Sequence, residues 1–237
     1  MEKPPLIVKV DLALGCTCDQ AKQGLRLVEA GYVSRSPKQA PRLTSAAISC
    51  SQSYDELIAT IRKRLKGNFL REAKKAEAFY YGPFEPAKYA HDIEAINKSR
   101  AVRSGGPMRP AYLRSADELR AAYAREPRRD CGLHWSMWFG VFESSGAGDD
   151  NLVGYVNLKR IGDLGLYSTI LGHADFMDNG IMPQLHLGIM HYLFHGEPSG
   201  IRWLIYGAWD SGIGKGLQLW KRKAGFNPVM LFGKEAA

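Results

Sequence analysis

Residues 134–172 read HWSMWFGVFESSGAGDDNLVGYVNLKRIGDLGLYSTILG, and this stretch decides the fold. It contains three runs rich in aromatic and β-branched residues, separated by short segments of Ser, Gly, Ala and Asp. Runs of this kind, bounded by turn residues, are typical of consecutive antiparallel strands. The sequence therefore predicts strands over residues 134–143, 151–161 and 165–172, joined as a meander.

Helix and strand alternate after this meander. Residues 181–194 are largely apolar over a length that favours a helix, and residues 201–206 form a short apolar run typical of a buried strand. A helix over 215–224 is predicted to end at Gly225, and a last strand covers 226–232. A meander followed by crossover units predicts an α/β fold with a mixed, mostly antiparallel sheet and helices on both faces.

Helices dominate before the meander. Residues 43–50 predict a strand, and the next helix begins at Ser53, with Glu56 three residues later completing a capping box. Further helices are predicted over 69–79, 87–97 and 115–125.

Residues 1–41 form the least regular part of the chain. They contain one amphipathic helix, predicted over 18–30, and a segment rich in Pro, Ser and basic residues near 34–42. We therefore expect an N-terminal extension and linker over 1–41, followed by one domain over 42–237.

Composition excludes several classes of protein. Hydrophobic residues make up 45% and charged residues 24%, which is ordinary for a globular domain. No apolar stretch is long enough to cross a bilayer, and the first residues lack the apolar core of a signal peptide, so we expect a soluble, cytoplasmic protein with no membrane partner. Cys16 and Cys18 have one residue between them and no second pair at ligand spacing, so neither a metal site nor a disulfide is predicted.

The net charge of +8 and the pI near 9.3 favour an acidic partner. Nucleic acid, an acidic carrier protein and the phosphates of coenzyme A all fit this charge. A surplus that only aids solubility fits it as well, so charge alone does not name the partner.

The predicted order of elements over residues 42–232 resembles the GNAT superfamily of N-acyltransferases. Residues 219–228, LWKRKAGFNP, look like the closing helix and Gly-Phe turn of that superfamily. Residues 64–68, RLKGN, and 73–77, AKKAE, are similar to the basic helix of Fem-type aminoacyl transferases. The resemblance implies an enzyme that transfers an acyl or aminoacyl group from a thioester or ester donor to an amine, including an amine on a nucleic acid or nucleotide.

The loop that binds the coenzyme A pyrophosphate in GNAT enzymes departs from its usual pattern. A Gln/Arg-x-x-Gly-x-Gly/Ala stretch there presents backbone N–H groups at a helix N-terminus, which favours an anion. Residues 173–181, HADFMDNGI, hold one glycine and two aspartates at this position. Asn179 and Gly180 are the nearest counterparts for cofactor binding. The donor stays open between acyl-CoA, an acyl carrier protein and aminoacyl-tRNA.

The catalytic candidates come directly after the two segments that correspond to the fourth and fifth strands of GNAT enzymes. His173 can accept a proton at neutral pH and Asp175 can fix its tautomer, while Asp210 can orient an amine and Ser211 can donate to a leaving atom. Helix capping by the aspartates and an ordinary Asp-Ser-Gly turn are the competing interpretations.

Two further groups are candidates for binding. The small residues Gly212 and Gly214, with Lys215, precede a helix and can hold an anion. The loop after residue 97 offers arginine forks that suit phosphate or carboxylate, and an aromatic side chain near the fifth strand can stack a flat substrate. The substrate-binding candidates are Arg100, Arg103, Arg109, Tyr112 and Trp209.

A non-catalytic GNAT-like module that binds nucleic acid or an acidic carrier protein is the alternative function. The basic series between Arg62 and Lys75 would then track phosphates.

Overall fold

The three aromatic and β-branched runs within residues 134–172 form the three predicted strands. The computed structural model describes residues 4–36, 38–103, 106–125, 131–144, 146, 150–196, 200–210 and 214–234. The strands in these ranges are β1 (Leu6–Val10), β2 (Val33–Ser34), β3 (Ser45–Ser49), β4 (Phe79–Pro83), β5 (Val102–Arg103), β6 (Gly106–Pro107), β7 (His134–Glu143), β8 (Asn151–Ile161), β9 (Leu164–Gly172), β10 (Trp203–Ala208) and β11 (Asn227–Gly233).

Seven α-helices lie in the described ranges. They are α1 (Lys22–Glu29), α2 (Tyr54–Lys63), α3 (Asn68–Lys74), α4 (Ala90–Lys98), α5 (Ala116–Tyr123), α6 (Ile181–His195) and α7 (Lys215–Lys223). The capping boxes start α2 at Ser53 and α5 at Ser115, where a Glu three residues later accepts from the cap backbone N–H.

One large sheet carries the fold, in the order β1-β11-β3-β10-β9-β8-β7-β4, with β2 also paired to β11. The pairs from β4 through β9 are antiparallel, as are both pairs of β3, whereas β10 runs parallel to β9 and β1 runs parallel to β11. The predicted mixed, mostly antiparallel sheet is confirmed.

Helices cover both faces of the sheet, as predicted. On one face α2, α3 and α6 pack in a core that includes Leu57, Phe69 and Leu185. On the other face α4 and α5 pack over Trp138 of β7, and α1 places Leu27 against β1, β11 and the ends of β8 and β9. Alternate residues of each strand therefore feed opposite cores.

The predicted helix over 69–79 is wrong in its last part. Helix α3 ends at Lys74, and Phe79 begins an edge strand that pairs antiparallel with β7. Burial of Phe79 beside the exposed Tyr80 and Tyr81 fits an edge strand, because aromatic side chains favour a half-buried pleated surface.

The segment predicted as an N-terminal extension contributes strands to the same sheet. β1 pairs with β11 over five residues, from Leu6↔Val229 to Val10↔Gly233, and β2 pairs with β11 through Val33↔Leu231. Neither strand was predicted from the sequence, since neither is bounded by a local hairpin signal.

In the part of the chain that the structure describes, no helix has the length and hydropathy needed to cross a membrane.

Candidate active site

The parallel strands β9 and β10 separate part-way along their length. They pair from Trp203↔Leu164 to Ile205↔Leu166 and no further. In β9 an extra residue, Ser168, interrupts the pairing with β8, since Asn157 opposes Thr169 while Leu158 opposes Tyr167. Gly207 in β10 has φ +60°, and the pairing of β10 with β3 shifts register beside it. These irregularities accompany the divergence of the two carboxyl ends.

A cavity of about 740 Å³ lies between the diverging strands. Its walls are residues 166–171 of β9 and 205–208 of β10, together with parts of α1, the loop 106–112 and α7. This volume suits a small ligand or the reactive end of a larger one. Because the cavity opens at the carboxyl ends of parallel strands, it stands where α/β sheets commonly bind ligands.

The described residues that line the cavity carry positive charge and no carboxylate. The cations are Arg26 of α1, Arg103 of β5, Arg109 in the segment between β6 and α5, and Lys221 of α7. Arg26 and Arg109 are exposed at the rim, where their guanidinium forks are available to phosphate or carboxylate. The cavity therefore favours an anionic ligand.

Lys221 is the most unusual of these cations. Its side chain is 3% exposed, its Nζ donates to the carbonyl of Ala208 at 2.5 Å, and Nζ lies 5.2 Å from the centre of the Tyr206 ring. Removal from water lowers the pKa of Lys221 from 10.5 to about 8. Lys221 thus combines a position on the cavity wall with a proton that leaves near physiological pH. Lys221 was not predicted from the sequence, because a lysine between other basic residues of a terminal helix looks like solvent-facing charge.

The guanidinium of Arg103 is hydrogen-bonded within the protein, so this side chain shapes the cavity wall rather than binding a ligand. Its Nη1 donates to the carbonyl of Gly172 at 3.0 Å, and its Nη2 donates to the carbonyl of Ile96 at 2.7 Å and to Ser99 at 2.8 Å. The side chain thereby ties β5, which pairs antiparallel with β6, to the end of α4 and the end of β9.

The predicted binding residues divide into two groups. Arg103, Arg109, Tyr112 and Gly214 line the cavity. Arg100, Trp209 and Lys215 do not, and neither does the catalytic candidate Asp210. Trp209 instead packs at the edge of the main core, with Arg222 over its ring at 5.7 Å. Ser211 and Gly212 lie outside the described residues.

His173 and Asp210 were predicted to converge in one cavity, and neither lines the cavity between β9 and β10. His173 follows β9 and caps the short turn of 3₁₀ helix Ala174–Asn179, where its Nδ1 accepts the backbone N–H of Asp175 at 3.3 Å. The Asp175 carboxylate is 3.8 Å from the same nitrogen. Since that Nδ1 lone pair already accepts a hydrogen bond, the neutral ring cannot donate there to Asp175, and the local geometry is that of a cap.

The segment around Asn179 and Gly180, expected to hold pyrophosphate, packs closely against α3. Gly180 has φ +72°, and a Cβ on it would stand 1.8 Å from the carbonyl oxygen of Glu72 in α3. The N–H of Gly180 donates to the carbonyl of Met177. Neither Asn179 nor Gly180 lines the cavity. The glycine here permits a close approach of two backbones.

Three solved structures of low sequence identity share the overall fold. FemX superposes with a TM-score of 0.55 and 13% identity over 87% of this chain and 66% of its own. A tandem GNAT protein from the clavulanic acid biosynthesis pathway superposes with a TM-score of 0.51 and 16% identity, over 94% of this chain and 60% of its own. A conserved protein of unknown function from Bacteroides thetaiotaomicron superposes with a TM-score of 0.51 and 13% identity, over 90% of this chain and 65% of its own.

The chain has a GNAT-like fold. It spans about two thirds or less of each of these structures, and at such identities the likeness concerns the fold alone. No protein-family profile and no curated protein sequence matches the chain. In this GNAT-like fold, β9 and β10 are the strands whose separation opens the cavity.

Proposed function

We propose that this chain is an N-acyltransferase that uses the cavity between β9 and β10 for acyl transfer to an amine. The observation that carries the proposal is the parallel pairing that stops at Ile205↔Leu166 and opens into a cavity lined by cations. The GNAT-like fold supports the reaction class, and the lining chemistry supports an anionic donor.

The rim arginines supply the binding energy for that donor. Arg26 and Arg109 are exposed and come from different elements, so they can contact a phosphate group from two directions. Gly214, at the start of α7, adds small-residue backbone to the same wall. Coenzyme A, the phosphopantetheine arm of an acyl carrier protein, and aminoacyl-tRNA share the phosphate chemistry that this rim fits.

Lys221 supplies the proton chemistry. The acceptor nitrogen attacks the acyl carbonyl carbon, a C–N bond forms, and the bond from that carbon to the leaving sulfur or oxygen breaks. The Lys221 ammonium gives a proton to the leaving atom, and the resulting neutral amine takes the proton that the acceptor nitrogen loses. A group with a pKa of about 8 suits both halves of this exchange near neutral pH.

The test is an acyl-transfer assay with labelled acetyl-CoA, an acyl carrier protein and aminoacyl-tRNA as donors, against a panel of amines. We expect turnover with one donor class and a loss of about a hundredfold or more in kcat for Lys221→Met, since general acid–base groups contribute of that order. Lys88→Met is the matched control, because Lys88 is exposed and does not line the cavity.

A non-catalytic binding module is the alternative function. Donor binding by calorimetry that is lost in Arg109→Ala, with no transfer to any amine, would support that alternative and contradict the enzymatic proposal. Retention of full turnover by Lys221→Met would contradict the role of Lys221 alone.

A further inference from the structure

Four side chains of types that can bind a metal lie together, and none of them lines the cavity. Cys16 and Cys18 lie in the loop between β1 and α1, and Cys131 and His134 lie at the start of β7. Their ligand atoms all lie within 4.8 Å of one another. Cys16 and Cys131 are 115 positions apart in the chain, so only the fold brings the two pairs together.

Two of the separations between these atoms match those expected in a tetrahedral zinc centre. With Zn–S near 2.3 Å and Zn–N near 2.1 Å, a tetrahedron places two sulfur ligands about 3.8 Å apart and a sulfur and a nitrogen about 3.6 Å apart. The Cys16 and Cys131 sulfurs are separated by 3.6 Å, and the Cys131 sulfur is 3.8 Å from Nδ1 of His134. Both distances agree with the ideal edges to within a few tenths of an ångström.

His134 has the orientation of a metal ligand. It is fully buried, and its Nε2 lies 2.9 Å from the carbonyl oxygen of Leu12. A carbonyl only accepts, so Nε2 carries the hydrogen and the Nδ1 lone pair faces the cysteines. Ligating histidines typically donate their second ring N–H to a backbone carbonyl in this way, which fixes the tautomer and the ring.

The turn between β8 and β9 is hydrogen-bonded to both segments that carry the cluster, the one after β1 with Cys16 and Cys18 and the one before β7 with Cys131. Asp163 accepts the N–H of Asp11 at 2.8 Å and donates its own N–H to the Asp11 carbonyl at 2.8 Å. Gly162 donates to the carbonyl of Leu133 at 2.9 Å in the other segment. Gly162 has φ +61°, and a Cβ on it would stand 2.0 Å from the Asp11 carbonyl oxygen, so the approach requires glycine.

We propose that Cys16, Cys18, Cys131 and His134 bind one Zn²⁺ as a closed structural site. Three thiolates and one imidazole form one of the ligand sets that zinc uses in structural sites, and they fill all four tetrahedral positions. The local sequence predicted no metal site because no second ligand pair lies close to Cys16 and Cys18 in the chain. The fold supplies it from β7.

The zinc site fixes the segment that leads into the cavity wall. Cys18 directly precedes the short turn Asp19–Ala21 and α1, and α1 carries Arg26 to the cavity rim. Anchoring Cys16 and Cys18 to β7 thus holds the start of α1 against the sheet. This inference does not depend on the proposed acyl transfer.

The test measures metal in the full chain, purified under reducing conditions with zinc in the growth medium and no chelator. We expect about one zinc per chain by elemental mass spectrometry, as for a site whose metal is bound on folding. Cys131→Ser and His134→Ala should each lower the zinc affinity, measured by competition with a chelator, by more than about tenfold, because changing even a hydrogen-bond partner of a ligand costs about that much. Cys50→Ala is the control, because Cys50 lies beside the main core and outside the cluster.

Cobalt binding by the unmodified chain keeps the proposal testable if the variants fail to fold. After zinc removal, Co²⁺ should give the intense visible bands of tetrahedral coordination together with thiolate-to-metal charge transfer. A wild-type chain without zinc whose cobalt spectrum is weak and octahedral would overturn the proposal. Iron in place of zinc, or an intact mass showing a Cys16–Cys131 disulfide in the native protein, would also overturn it.

Discussion

Lys221 donates to the carbonyl of Ala208 at the point where β10 has separated from β9. Ala208 is the last residue of β10, and Lys221 lies in α7, the helix that follows β10 in the chain. The hydrogen bond holds a buried ammonium on the cavity wall without a carboxylate partner among the residues lining the cavity. One donor is used, and the remaining two can turn to a ligand.

The rate of acyl transfer should fall as pH rises through about 8. Burial lowers the pKa of Lys221 from 10.5 to about 8, so the ammonium required for proton donation is lost above that value. A pH profile of kcat for the wild type and Lys221→Arg checks this. The arginine keeps its charge at all these pH values, so its profile should lack the limb near 8 and its rate should be low throughout. If kcat of the variant still fell near pH 8, the fall would have to come from the titration of another group.

Stability should fall on acidification because of His186. This fully buried ring accepts from the Tyr167 hydroxyl at 3.0 Å and donates to the Ala224 carbonyl at 2.9 Å, so it is held neutral. Burial lowers its pKa from 6.5 to about 4. Between these values the unfolded chain binds a proton that the folded chain does not, which reduces the free energy of unfolding as pH falls.

Relative to pH 8, the loss attributable to His186 at pH 5 is about 2 kcal/mol. Urea unfolding at several pH values checks this for the wild type and His186→Gln. The glutamine variant should show a shallower decline between pH 6.5 and 4, although it is less stable at neutral pH. Equal slopes would mean that other groups cause the acid sensitivity.

Gly180→Ala should lower stability by about 1–3 kcal/mol or more, because it forces a side chain into a left-handed conformation and against the Glu72 carbonyl. Gly216→Ala is the control: it lies in α7 with no heavy atom within 4 Å of the added Cβ, and alanine favours a helix. Thermal unfolding of both variants decides the point. A Gly180→Ala protein of normal stability that has lost donor binding would instead support the cofactor role predicted from the sequence.

The basic series from Arg62 to Lys75 should separate into structural and solvent-facing members. Arg64 donates to the carbonyls of Arg222 and Phe226 and to Asn227, so Arg64→Ala should cost about 1–3 kcal/mol in unfolding free energy. Lys66, Lys74 and Lys75 are exposed, and changing all three to Ala should leave stability nearly unchanged.

The same triple variant tests the acidic partner. If these lysines bind nucleic acid, the variant should bind more weakly and with a lower dependence on salt, because fewer counterions are released. Fluorescence anisotropy with labelled RNA and DNA at several salt concentrations measures both quantities. Identical affinity and salt slope in wild type and variant would leave the lysines as a solvated surface.

Local patterns predicted the elements well where local chemistry decides them. The bounds of β7 and β8 match the sequence prediction, and so do the capping boxes at Ser53 and Ser115. The parallel neighbours β9 and β10 follow from the order of elements, and their divergence was expected from the resemblance to GNAT enzymes. β1 and β2 were missed because their partner strand lies near the other end of the chain.

The site was harder to predict than the fold, since cavity position depends on three-dimensional direction. Arg103, Arg109, Tyr112 and Gly214 were named from the sequence and line the cavity. Lys221 was not, because nothing in a basic helix distinguishes the lysine that turns inward. A regular 3.6-residue period places Lys221 beside Leu217, which also lines the cavity, and that relation was the available indication.

The position of β3 in the sheet has a kinetic consequence. β3 is early in the sequence, yet it lies between β10 and β11, whose residues follow more than 150 positions later. The hairpins of β7, β8 and β9 close short loops, whereas the β3 pairs require the ends of a long loop to meet. We expect the meander to form early and the half of the sheet containing β10 to assemble late. The cavity, which needs both β9 and β10, is then among the last features of the molecule to appear during folding.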